Sequence, residues 1–240
     1  MPIIHTMLLQ DGYYQGIKLD PSLVDALLLF AHTTVCYGDR DPNIKFLISQ
    51  QQQIESTLGR RLKCASYFDS HESCDAFQQL KQDPILQAIA AEYLGCQPKY
   101  QRGELAWNFP GPTTEANKLA TAQVLHCDVN DYRTVKFFFY LTDVDLDSGP
   151  HVYIERSHHG RSLWHQMLGQ RIASIPDQRL VQHYGTEHVM TVCGEAGFGF
   201  AGDPYVLHQG TTPKTHPRLL LQLEFGINTY KTWYFTPSNP

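Results

Sequence analysis

Arg218-Leu219-Leu220-Leu221-Gln222-Leu223-Glu224-Phe225 is the stretch that decides the fold class. Side chains alternate across a strand, so Leu219, Leu221, Leu223 and Phe225 share one face, while Arg218, Leu220, Gln222 and Glu224 share the other. One face is continuous core. The other mixes two charges with an amide and one apolar side chain, and if that face lines a barrel, Arg218 is a fixed cation in an enclosed space. An enclosed charge needs an anionic partner. A salt bridge to Glu224 or another acid on a solvated face is the alternative.

Outward from this stretch, β-branched and aromatic runs separated by Gly, Pro, Asp and Asn clusters extend back to about Lys99. The expected strands are 100–108, 122–127, 134–141, 151–154, 188–193, 205–208 and 218–225, with Asp147-Ser148-Gly149-Pro150 as a turn. Short strands without intervening helices predict a sandwich or barrel and not a parallel sheet. The first part of the chain is helical in character. Asp20 caps and Pro21 opens a helix over 21–35, with Leu23, Leu27 and Phe30 on one face. Asp83-Pro84 opens another, striped by Ile85, Leu86, Ile89 and Tyr93 and ended by Gly95. Shorter helices are expected over 46–58 and 73–80. The pattern predicts one domain over 1–240, with 1–98 a mostly helical cap and 99–240 the β-barrel core.

Composition narrows the class of function. Of the 240 residues, 42% are hydrophobic and 18% charged, with no apolar run near the roughly 20 residues that cross a bilayer. The start, Met1-Pro2-Ile3-Ile4-His5-Thr6, lacks the basic and apolar regions of a secretory signal, so a cytoplasmic location is expected. The formal net charge is -5 and no Lys/Arg stripe occurs, which argues against a nucleic-acid partner. Six scattered cysteines without a Cys-x-x-Cys pair read as buried reduced thiols.

His126-Cys127-Asp128 is expected to close the 122–127 strand, where residues two apart face the same way, so an imidazole and a carboxylate converge. His208, after the apolar Tyr205-Val206-Leu207 run, is the best-placed third ligand. Two histidines and one carboxylate on one face of a metal leave positions open for other ligands, the arrangement of non-haem Fe(II) oxygenases. A His-x-Asp pair alone is a weak signal among 12 His and 24 acidic residues; Arg218 raises it, because a guanidinium pairs bidentately with a dicarboxylate cosubstrate.

The ordered motifs Leu125-His126-Cys127-Asp128, Leu141-Thr142-Asp143-Val144-Asp145, Ser148-Gly149-Pro150, Ser157-His158, Gly202-Asp203 and His208-Gln209-Gly210, followed by Arg218, carry a resemblance. Together with Gly12-Tyr13-Tyr14 and the helix after Asp20, they make most of the chain resemble the phytanoyl-CoA dioxygenase family of Fe(II)/2-oxoglutarate oxygenases. The resemblance implies a mainly β, double-stranded β-helix (jelly-roll, cupin-like) barrel with N-terminal helices packed on it. It implies Fe(II) held by His126, Asp128 and His208, with 2-oxoglutarate held at its distal carboxylate by Arg218 and bordered by Asn108 and Phe138. It also implies hydroxylation of a small molecule by O2, with release of succinate and CO2. Asn108 reads equally as a turn residue, and Phe138 as plain core within Phe137-Phe138-Phe139. The chain departs from the family at Glu155-Arg156 before Ser157-His158, where Pro-Gly is frequent, and the 160–186 segment is short for a substrate-covering insertion.

Other patterns carry less. Gly197-Phe198-Gly199-Phe200-Ala201-Gly202 spells a dinucleotide fingerprint but precedes Asp203-Pro204 and no helix, so its glycines read as turn and close-packing positions. Cys127 is expected to point away from its neighbours as a packed thiol. Trp107, Tyr132, Trp233 and Tyr234 read as pocket walls or as packing. Two rivals remain: a metal- or ligand-binding barrel without catalysis, and a metalloenzyme on the same fold that needs no cosubstrate. A structural zinc site would want a fourth Cys or His, and none is apparent.

Overall fold

The computed structural model describes residues 2–112, 114, 118 and 123–229. Trp233 and Tyr234 lie outside them, as does residue 122 at the start of one expected strand. The 218–225 alternation forms a nine-residue strand, Arg218–Gly226, at the centre of an eight-stranded sheet. In chain order the strands are β1 Tyr13–Lys18, β2 Cys36–Gly38, β3 Lys45–Phe46, β4 Cys64–Ser66, β5 Lys99–Asn108, β6 Thr134–Tyr140, β7 His151–Ile154, β8 Val189–Val192, β9 Phe198–Gly202, β10 His208–Gly210 and β11 Arg218–Gly226. The large sheet runs β1-β9-β6-β11-β5-β4-β2-β3 and a smaller one runs β10-β7-β8, with every pairing antiparallel. These two antiparallel sheets form the double-stranded β-helix that the resemblance implies.

The apolar face of β11 explains why the helices dock where they do. Leu219, Leu221, Leu223 and Phe225 are fully buried in one cluster with Phe137 and Phe139 of β6 and with Leu86, Ile89 and Tyr93. Each such side chain contributes roughly 1.5–3 kcal/mol of transfer free energy. The last three residues belong to the helix Pro84–Leu94, where Asp83 accepts from the Ile85 and Leu86 amides at 2.8 and 2.9 Å and Gly95 terminates at φ 72°. The helix Pro21–Thr33 is capped in the same way by Asp20, on the Ser22 amide at 2.8 Å.

Several boundaries differ from expectation, each for a local reason. Residues 1–98 supply helices and also four strands, β1 to β4, that extend the large sheet at both ends. The 46–58 helix begins only at Gln51, because Phe46 pairs with Cys36 and the Gln50 side chain turns back to accept from the Leu47 amide at 3.0 Å. The 73–80 helix runs Asp75–Lys81. No strand forms over 123–127. The Leu125 amide is taken by the Asp177 carboxylate (2.9 Å) and the Asp128 amide by the Pro204 carbonyl (2.7 Å), leaving only an isolated bridge between His126 and His208. The 205–208 strand starts instead at His208, since Asp203 draws the Tyr205 and Val206 amides into a turn. Phe198–Gly202 is a strand and not a turn, though its glycines are close-packing positions: a Cβ on Gly199 would meet Phe139 at 2.5 Å, and one on Gly202 the Tyr153 hydroxyl at 2.5 Å.

The turn before β7 places Gly149 at φ +77°, where an added Cβ would come within 2.7 Å of both the Thr211 carbonyl oxygen and the Pro213 nitrogen. Backbone on both sides leaves nothing flexible to yield. Gly149→Ala is therefore expected to lower unfolding free energy by more than the roughly 1–3 kcal/mol of a strained left-handed residue, measured by denaturant titration. An unchanged midpoint would mean that the 211–213 backbone gives way without cost.

Candidate metal and cosubstrate site

The ladder-like bridge between His126 and His208, with reciprocal amide-to-carbonyl bonds of 3.0 and 2.9 Å, sets the two imidazoles side by side at 4.4 Å between ring centroids. In each ring Nδ1 lies 2.8 Å from the carbonyl oxygen two residues earlier, Val124 for His126 and Val206 for His208. A carbonyl can only accept, so Nδ1 is the donor in each ring and Nε2 is the nitrogen left for a metal. Asp128 joins them, and one ligand atom from each of the three side chains lies within 4.8 Å of the others.

The charge states suit metal binding. Burial alone would raise the Asp128 carboxyl, but the Lys136 ammonium against it and the two imidazoles hold it well below the usual carboxylate range. Burial and the His126 neighbour push His208 down to about 3. The pair is thus an anionic carboxylate with a neutral imidazole, the forms that donate to a cation. Lys136 occupies one carboxylate oxygen and leaves the other for a metal.

Arg218 enters the same cavity, of about 350 Å³, between the two sheets. It is 3% exposed, and its Nη2 donates to Asn108 Oδ1 at 2.7 Å, a contact set by the Arg218–Asn108 register of β11 on β5. Its Nε and Nη1 are buried without a partner among the described residues. Burial lowers its pKa to about 10, which still leaves a full positive charge at neutral pH. The salt bridge to Glu224 does not form: Glu224 takes Arg102 at 2.8 Å and Asn130 at 3.0 Å instead. Two orphaned donors on a buried guanidinium are costly in the protein alone and fit a carboxylate that accepts from them. Gly210 faces this pocket, where a Cβ would stand 3.2 Å from Arg218 Nη2.

Phe138 is both buried and a cavity wall, since β6 turns it inward with Lys136 while Phe137 and Phe139 enter the core. Among residues the sequence reading passed over, His151 lines the cavity beside Phe138 at 4.8 Å between ring centroids. Burial and then Arg218 hold its pKa far below the ordinary histidine value, so it is neutral, and its Nδ1 has no partner among the described residues. Arg40, Arg102, Glu104, Lys136 and Gln222 also line the cavity. A signal existed for most of them: Arg102, Glu104, Ala106 and Asn108 share one face of β5, and a lone lysine interrupts the apolar run of β6. Gln170 and Ala173, from the 160–186 segment, close part of the cavity, so that segment covers the site despite its length.

The remaining positions lie elsewhere. Cys127 is buried in a separate cluster with Leu125, Ile154 and Leu207, although it borders the cavity, and burial raises its pKa. Trp107 bonds the Tyr67 hydroxyl at 3.0 Å in the core, Tyr132 is 87% exposed, and His158 contacts the Leu9 carbonyl at 3.0 Å. All six cysteines are free, and no helix of the described residues is long and apolar enough to cross a membrane.

No protein-family model matches the sequence, and no curated protein matches it. Solved structures do share the fold. HygX from Streptomyces hygroscopicus, solved with nickel and 2-oxoglutarate bound, superposes at TM-score 0.66 with 14% identity over 98% of this chain and 90% of its own. The non-heme alpha ketoglutarate dependent epimerase SnoN from nogalamycin biosynthesis gives 0.58 and 15% over 94% and 80%, and EctD from S. alaskensis gives 0.60 and 14% over 92% and 75%.

Proposed function

We propose that this chain is an Fe(II)- and 2-oxoglutarate-dependent oxygenase that hydroxylates a small molecule, related to the phytanoyl-CoA dioxygenase family. The observation that carries this reading is the presence, in one cavity, of a His126-Asp128-His208 group, with Asp128 anionic and His208 neutral, and of a buried Arg218 with two donors unpartnered among the described residues. A barrel that only bound metal would not need the second feature, and neither would a metalloenzyme without a cosubstrate. The fold is shared by proteins whose names declare dependence on alpha-ketoglutarate, which supports the reading.

His126, Asp128 and His208 would hold Fe(II), and Arg218 with Asn108 would hold the distal carboxylate of 2-oxoglutarate, with Phe138 and His151 walling its chain. When bound, iron and 2-oxoglutarate supply an oxidant from O2 that removes hydrogen from a substrate carbon, with succinate and CO2 released. The residues bind, orient and exclude water. Lys136 holds one Asp128 carboxylate oxygen, which would leave the other for the metal, and the apolar cluster around Phe138 and Phe200 would keep water from the cosubstrate end.

Neighbours of this fold include an epimerase and a carbocyclase, so the outcome of hydrogen removal needs its own test. With Asp128 in place, a second anion at the metal is disfavoured sterically and electrostatically, and chlorination is not expected. Turnover under ¹⁸O₂ in high chloride should give one ¹⁸O in succinate and label in the substrate product, without chlorine. A product lacking the oxygen label would replace hydroxylation with a desaturating, cyclising or epimerising outcome. A chlorinated product would remove Asp128 from the ligand set.

A further inference from the structure

The wall of the cavity away from Arg218 is ionic. Arg40 Nη2 donates to Glu104 Oε1 at 2.7 Å, and Gln222 Nε2 to Glu104 Oε2 at 2.9 Å. Next to them Arg102 pairs with Glu224, and Lys136 lies 3.8 Å from Glu224 as well as against Asp128. The apolar contribution at this end is Ala106 and Leu220. Such a wall is a poor host for a hydrocarbon chain, which would cover these charges and return nothing to them.

The loop that delivers Arg40 is strained. Asp39 and Arg40 are consecutive non-glycine residues at φ 51° and 58°, the left-handed region that favours glycine. The conformation is held from outside. The Asp39 carboxylate accepts from the Lys63 and Cys64 amides at 2.8 and 3.3 Å and pairs with Arg60, while the Asp39 amide donates to the Cys64 carbonyl at 2.9 Å. The same turn closes the β2–β3 hairpin, which returns Ile44 and Phe46 to the core, and it places a half-exposed Arg40 guanidinium over the cavity and against Glu104. Backbone strain of this kind clusters at ligand-binding positions, and here one of the two strained residues, Arg40, lines the cavity.

Resting on the oxygenase reading, we propose that the substrate is a small zwitterion of the amino-acid class, its carboxylate taken by Arg40 and Arg102 and its ammonium by Glu104. A zwitterion exchanges partners with the existing pairs instead of stranding them: the carboxylate replaces Glu104 at the guanidinium, and the ammonium replaces Arg40 at Glu104. The size agrees. A cavity of about 350 Å³ is at the low end of small-molecule sites, roughly 300–1,000 Å³, and 2-oxoglutarate takes a share of it.

The test uses the full chain loaded with Ni(II) and 2-oxoglutarate, an unreactive pair, titrated calorimetrically. The probes are α- and ω-amino acids, each alongside its N-acetyl derivative and its amide. Loading itself is the first readout: failure to bind Ni(II) and 2-oxoglutarate defeats the oxygenase reading, whereas loading without any amino acid binding defeats only the zwitterion. The expected result is that at least one amino acid binds and that both derivatives bind at least tenfold more weakly. Arg40→Gln should then erase the preference over the amide, Glu104→Gln should erase the preference over the N-acetyl compound, and Arg40→Lys should restore part of the first. Equal binding of the derivatives, or preferences unmoved by both variants, would overturn the proposal.

Discussion

His208→Ala and Asp128→Ala are each expected to weaken Fe(II) binding on the order of 100-fold or more and to abolish 2-oxoglutarate turnover in a protein that stays folded. The size follows from the site: with three protein donors, losing one removes a first-rank bond, whereas losing even an outer partner of a metal ligand costs roughly 10–100-fold. The fold survives because the strand pairing at His208 is made by its backbone, through amide and carbonyl bonds to His126, and not by its ring. In Asp128→Ala the Lys136 ammonium keeps Glu224 at 3.8 Å as a second anion. Iron content after gel filtration and circular dichroism check both halves. Near-wild-type iron in either folded variant would strike that residue from the ligand set.

Arg218→Leu is expected to separate binding from stability. In the protein alone Arg218 is a buried charge with two unpartnered donors, so replacing it with a similarly sized apolar side chain should leave thermal stability unchanged or raise it. The variant should lose 2-oxoglutarate affinity by about 2–5 kcal/mol, at least roughly 30-fold, as truncation of one member of a buried charged pair does. Iron binding should be nearly unaffected. Melting curves with and without 2-oxoglutarate show the difference directly: the cosubstrate stabilises the parent and not the variant. A variant that is much less stable on its own, with unchanged cosubstrate affinity, would make Arg218 a structural residue.

What could be read from the sequence follows the strength of local patterns. The β11 strand was legible because four apolar residues at period two separate a core face from a polar one, and the Asp20-Pro21 and Asp83-Pro84 starts were legible because capping is chemistry of adjacent residues. Strands of two to six residues such as β1 to β4 carry too few alternations to show a period, and their place in the sheet is decided by long-range pairing. The convergence of His126 with Asp128 was expected from a strand. It comes instead from an irregular segment clamped by Asp177 and Pro204, partners far away in the sequence. Arg40 was not legible at all, because nothing in Gly38-Asp39-Arg40-Asp41 announces two left-handed residues held by amides at 63 and 64.

The most direct measurement is anaerobic titration of the purified metal-free chain with Fe(II) in the presence of 2-oxoglutarate, followed by visible absorption. A 2-oxoglutarate chelated to Fe(II) gives a metal-to-ligand charge-transfer band that neither component gives alone. The proposed site predicts that band, saturating at one iron per chain, absent in His208→Ala and displaced to much higher 2-oxoglutarate concentration in Arg218→Leu. Iron that binds the intact chain at this site without the band at any 2-oxoglutarate concentration would contradict the account.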